Sequence, residues 1–142
     1  MNIDSIQNGY VIDHIKAGRS MELYRHLKLD SLDCSIAIIQ NAKSERMGRK
    51  DIIKIDQEIP IDWDMLGYID PDVTVNVIRG GKRVEKKQLK MPDRVVNVMR
   101  CKNPRCISQV EHELDQIFTL ADREKRVYRC HYCETAYKRS EK

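Results

Sequence analysis

The chain has 142 residues, 41% apolar and 34% charged, with six glycines, four prolines and a formal net charge of +4. That balance excludes a disordered or collagen-like polymer, and the length supports one ordinary core, or a small core plus a mini-domain held by a metal or disulfides. The apolar runs are strand-sized, far below the ~20 residues of a membrane span, and Met1 to Asp13 lacks the basic start and apolar stretch of a secretory signal, so a cytoplasmic chain with reduced thiols is expected.

In chain order, Tyr10 to Ile15 predicts a strand, and Arg19 to Leu27 a helix with Leu23, Tyr24 and Leu27 at helical spacing and Gly18 or Ser20 as its cap. Ser35 to Gln40, apolar on both faces, and Lys50 to Asp56, with Ile52, Ile53 and Ile55, predict two central strands. Cys34 reads as a small buried residue of the first. Ile61 to Tyr68 predicts a short helix and Val73 to Ile78 an alternating strand. Arg83 to Leu89 predicts an edge strand whose lysines discourage further pairing. This order suits an α+β fold, a ferredoxin-like split βαβ sandwich with both helices on one face. The boundary is placed at Lys90-Met91-Pro92-Asp93, giving domains 1–91 and 92–142 with a linker near Pro92.

One face of such a sheet meets the helices and the other is open. Lys50, Ile52 and Lys54 share one side of their strand, and Asp51, Ile53 and Ile55 the other. Two ammonium groups therefore project the same way, ~13 Å apart at the backbone for a rise of about 3.3 Å per residue, and their flexible stems can converge on a polyphosphate. A lysine pair on an exposed strand also serves solubility, and spacing alone leaves both readings open.

Beyond the boundary, Cys101 and Cys106 are separated by four residues and Cys130 and Cys133 by two. Each close pair fits the tip of a tight turn and supplies two thiolates, so the two tips together make a tetrahedral four-sulfur site, expected to hold one structural zinc ion (Zn2+). With the tetrahedron full, no position is left for an activated water. Disulfides and iron remain the alternatives. His112 and His131 read as surface residues. Gln116 to Leu120 and Arg126 to Arg129 predict a hairpin with Ala121 to Glu124 as its turn, which makes this tail a small all-β, zinc-ribbon-like domain whose folding is linked to the metal.

Several strings stand in a specific order: Val11-Ile12-Asp13-His14-Ile15, Met47 to Ile55, Thr74-Val75-Asn76, then the unequally spaced cysteines. Together they resemble the regulatory chain of aspartate carbamoyltransferase (aspartate transcarbamylase), almost end to end. The resemblance implies a non-catalytic chain of pyrimidine biosynthesis, with an N-terminal allosteric domain that binds nucleoside triphosphates and a C-terminal zinc domain that docks on the catalytic chain. It implies regulatory dimers, paired through the nucleotide domains, that bridge catalytic trimers. CTP, often with UTP, is expected to inhibit and ATP to oppose, and the resemblance allows a magnesium ion (Mg2+) between triphosphates. By position, Asp13 and His14 resemble the pair near the base or ribose and phosphates, Lys50 and Lys54 the phosphate and ribose contacts, Asn76 and Ile78 the residues beside ribose and base, and Lys86 the phosphate lysine of the last strand. Val11, Ser5 and Ile6 fall where the family lines the other side of the pocket. Arg83 departs from the family, standing where an apolar residue is usual, and the Asn41 to Arg46 loop is charged.

Three rival readings remain. An RNA-binding sheet would need aromatic platforms, and Ser35 to Gln40 and Lys50 to Asp56 contain none. An enzyme would need an open metal position or a nucleophile with its base. An architectural subunit of the same complex with little nucleotide response is the third. The expected partners are therefore the catalytic chain, a second regulatory chain and nucleoside triphosphates, with neither nucleic acid nor membrane.

Overall fold

The computed structural model describes residues 6–138; Ser5, read above as a pocket residue, lies outside them. The chain divides into two compact units between Lys90 and Met91. No helix among the described residues is long and apolar enough to cross a membrane.

The N-terminal unit is built in the order β1 (Gly9–Lys16), α1 (Ser20–His26), a single 3-10 turn (Leu29–Ser31), β2 (Ile36–Ser44), β3 (Gly48–Ile55), α2 (Trp63–Ile69), β4 (Thr74–Arg79) and β5 (Lys82–Gln88). The strands form one sheet in the order β2-β3-β1-β4-β5, with every pairing antiparallel. This is the split βαβ arrangement with one extra edge strand. Ile12, Ile15, Ile53, Ile55, Val75 and Val77 pack on the helix side with Leu23, Leu66 and Ile69, all of them buried. Ile12 and Ile15 are three residues apart rather than two because the β1–β3 register slips between them, at a bulge where His14 takes a φ of 60°. Gly9 is required where β1 enters the sheet, since a Cβ there would strike the Ile55 carbonyl and the Gln57 amide.

Three expectations are corrected. β2 is an outer strand rather than a central one, so its run Ile36 to Ile39 is only half-buried. Cys34 lies ahead of that strand and is partly exposed. Helix α1 is capped by neither Gly18 nor Ser20; its Ncap is Arg19, which makes no side-chain cap. The fully buried carboxylate of Asp51 on β3 takes that role, accepting from the amides of Gly18 (3.1 Å), Ser20 (3.2 Å) and Asn41 (2.8 Å). A carboxylate held at the helix start satisfies the Ser20 amide, one of the N–H groups that the first turn leaves orphaned. Arg19, itself buried, donates to the carbonyl of Ile69 at the end of α2. Helix α2 is capped locally, the Asp62 carboxylate accepting from the Met65 amide at 3.0 Å.

The C-terminal unit is a four-stranded antiparallel sheet, β6 (Arg94–Val96), β7 (Ile117–Asp122), β8 (Val127–Cys130) and β9 (Ala136–Lys138), with one short helix α3 (Ile107–Val110). Among its described residues the buried apolar side chains other than cysteine are Met91, Pro92, Val95, Phe118 and Tyr128. Pro92 is tied into this unit, its carbonyl accepting from the Tyr128 hydroxyl at 2.7 Å. The hairpin turns at residues 123–126, two positions later than expected. Asp122 sets it, its carboxylate accepting from the Lys125 amide, and Arg126 closes it with a φ of 57°.

Candidate functional site

The four expected metal ligands converge. Cys101 and Cys106 bracket a loop closed by the Cys106 amide on the Asn103 carbonyl. Cys130 ends β8, and Cys133 sits in the turn to β9, where Glu134 donates back to the Cys130 carbonyl. The sulfurs lie within 4.8 Å of one another, with Cys101 to Cys133 at 3.6 Å and Cys106 to Cys130 at 3.7 Å. A tetrahedral ion bound at ~2.3 Å sets its sulfurs about 3.8 Å apart, whereas a disulfide brings them to ~2.0 Å. The spacing fits one structural metal ion and not a bridge.

Without metal the thiols are unequal. Burial pushes Cys130 up to about 12, against the amides of Cys133 and Tyr132. Burial also raises Cys133, but hydrogen bonds from the Thr135 hydroxyl and amide, from Asn103 and from Cys101 outweigh it and bring the thiol to about 6. Binding must therefore expel protons, so affinity for a divalent ion rises with pH. Gln116, which sequence reasoning missed, is buried behind the cluster, its Oε1 accepting from the Cys101 amide at 2.9 Å and its Nε2 donating to the Ser108 carbonyl.

In the N-terminal unit, strand register sets Lys54 opposite Val11, Val11 opposite Asn76 and Asn76 opposite Lys86. These four residues form one transverse row over β3, β1, β4 and β5, on the face away from the helices. Ile78 and its partner Arg83 occupy the next row. Farther along, Lys50 reaches the Asp13 carboxylate at 2.9 Å. His14 sits in the bulge, with its Nδ1 buried and without a hydrogen-bond partner among the described residues; its approach to Asp13, 4.0 Å, is too long for one. The Oδ1 of Asn76 is likewise buried and unpartnered. Lys54 and Lys86 have no acidic partner among the described residues. Ile6 is buried just ahead of β1. No aromatic ring lies in these rows, since Tyr10 of β1 pairs with Ile55 and Val77 on the helix side and meets Trp63 edge-on at 6.4 Å.

Asp51 and Asn103 were missed as well, because each works through partners that no local spacing announces. The one available signal for Asp51 is a lone carboxylate at an inward position of an isoleucine-rich strand.

The family profile described as "Aspartate carbamoyltransferase regulatory chain, allosteric domain" matches residues 1–90, and the corresponding "metal binding domain" profile matches residues 93–142. The chain is 46% identical over 139 residues to the aspartate carbamoyltransferase regulatory chain of Clostridium tetani, covering 97% of this chain and 96% of that one. It is 47% identical over 134 residues to the regulatory chain of Bifidobacterium longum, covering 94% and 96%. Two matched profiles in tandem, a four-sulfur cluster in the second, and near-complete coverage of these relatives show that this chain belongs to the family of aspartate carbamoyltransferase regulatory chains, as a regulatory rather than a catalytic subunit.

Proposed function

We propose that the open sheet face of the N-terminal unit binds CTP, UTP and ATP as allosteric effectors, and that the metal in the C-terminal unit is zinc, holding a surface that docks on the catalytic chain. The observation that carries the first part is the row Lys54, Val11, Asn76 and Lys86. It sets two ammonium groups, without an acidic partner among the described residues, on either side of an apolar residue and a buried amide oxygen that lacks a donor among them. Buried polar atoms rarely stay unpaired, and a ribose hydroxyl or a base amino group supplies the missing donor. The lysines supply the charge a triphosphate requires. Among the described residues no aromatic ring lies on the rows of this face, which weighs against single-stranded RNA, since it stacks on such rings.

A nucleotide shifts activity only by binding two quaternary states unequally. The chain's part is to bind and to couple, while the chemistry belongs to the catalytic subunit. Exposed Ile107 and Val110, 53% and 70% accessible and one turn apart on α3 beside Cys106, are the proposed anchors on that partner. The N-terminal units are the proposed contact between two regulatory chains, whose dimers bridge catalytic trimers.

Titration calorimetry of the full chain with CTP and ATP tests the effector site. Lys54→Ala should weaken both about tenfold or more while zinc content stays unchanged, and wild-type affinity in that variant would refute the assignment.

A further inference from the structure

The metal cluster is served by hydroxyl groups whose proton direction is fixed by their other partners. The Tyr137 hydroxyl accepts from the Lys102 amide at 2.7 Å and lies 3.4 Å from the Cys101 sulfur. The Thr135 hydroxyl accepts from the Asn103 side-chain amide at 3.3 Å and, in the metal-free protein, from the Cys133 thiol at 3.2 Å, a bond that must reverse once that thiol gives up its proton to bind a metal. Asn103 is itself oriented, its Oδ1 accepting from the Arg105 amide at 3.0 Å. A hydroxyl has one proton and two lone pairs. With a lone pair engaged by an N–H, the proton is free for the sulfur, and a metal-bound thiolate, having no proton, can only accept it.

We propose that Tyr137 and Thr135 are positioning residues that donate hydrogen bonds to the Cys101 and Cys133 thiolates, oriented by the Lys102-Asn103 segment, and that they slow loss of the metal. Four thiolates on a divalent ion carry excess negative charge, and outer donors that draw on it make each sulfur a weaker target for protons. The relays also explain a use for the longer cysteine loop: its first two residues supply both N–H groups. The Ser108 hydroxyl also lies close to a cluster sulfur, 3.0 Å from that of Cys106. The inference rests on the cysteines holding a metal ion and is independent of the nucleotide reading.

The test uses the zinc-loaded full chain and Tyr137→Phe, which keeps the ring and its edge-on contact with Phe118 at 5.4 Å. Zinc transfer to a chromophoric chelator should run about tenfold faster in the variant, as is typical when an outer partner of a metal ligand is lost. In cobalt-substituted protein the thiolate-to-metal charge-transfer band should move to longer wavelength, because an undonated thiolate gives up its electron more readily. Thr135→Val should behave the same way, and Thr135→Ser, which restores the hydroxyl, should return to the wild-type rate. If Tyr137→Phe fails to fold, the Thr135 pair carries the test. Wild-type release rates and an unshifted band in both hydroxyl-less variants would overturn the proposal; absence of zinc from the purified wild-type chain would instead overturn the metal assignment beneath it.

Discussion

The two units of this chain solve the same problem with different physics. The N-terminal unit buries nine or more isoleucine, leucine and valine side chains between one sheet and two helices, enough apolar surface to fold by the hydrophobic effect alone. The C-terminal unit, from Met91 onward, buries among its described residues only Met91, Pro92, Val95, Phe118 and Tyr128 as apolar side chains besides three of its cysteines, too little for a module of this size without a staple. The proposed functions divide along the same line: a broad, rigid sheet suits a ligand face, whereas a small metal-tied sheet suits a docking tip.

The largest break in the comparison should come from Cys133→Ser. The proposed structural zinc would contribute on the order of 10 kcal/mol to folding of such a module, so the C-terminal unit should lose its protected amides and catalytic subunits released from the complex should appear on a sizing column. The N-terminal unit has an analogous single point of failure in Asp51. Asp51→Ala leaves the three amides it now satisfies without an acceptor, at a cost of about 3–5 kcal/mol; denaturant melts should show this loss with zinc content untouched. Val110→Asp should weaken association with the catalytic chain about tenfold and leave both units folded, as read by analytical ultracentrifugation.

The smallest effect is a slope. Burial raises the Asp70 carboxyl above its ordinary value, against the amide of Lys16 and the charge of Arg19. A group that keeps its proton longer when folded favours the folded state at low pH, and that advantage is lost as pH rises through the folded value. Asp70→Asn should flatten the decline in stability between the ordinary carboxylate range and that higher value, measured as denaturant midpoint against pH.

The same contrast explains what could be read from the sequence. The cysteine quartet was legible because ligand type and spacing are local, and the lysine face because strand parity needs only alternation. The edge position of β2 was not, since Ile36 to Ile39 reads equally well as a central strand until the register is known. The bulge at His14, and the one at Asn41 where the β2–β3 register shifts between Ile39 and Ala42, were hidden because neither residue is glycine, although both take a left-handed φ, 60° and 59°. Strands β6 and β9, three residues each, are too short for any periodicity to mark. Asp51, Gln116 and Asn103 escaped notice because their partners come from elsewhere in the chain.

On this reading the N-terminal unit folds on its own core and the C-terminal unit only around its metal. Hydrogen exchange on the chelator-stripped full chain tests it directly. Protection should vanish across residues 93–138 while β1, β3 and β4 keep theirs and nucleotide affinity is unchanged; retained protection of β7 and β8 without metal, or concerted loss in both units, would contradict it.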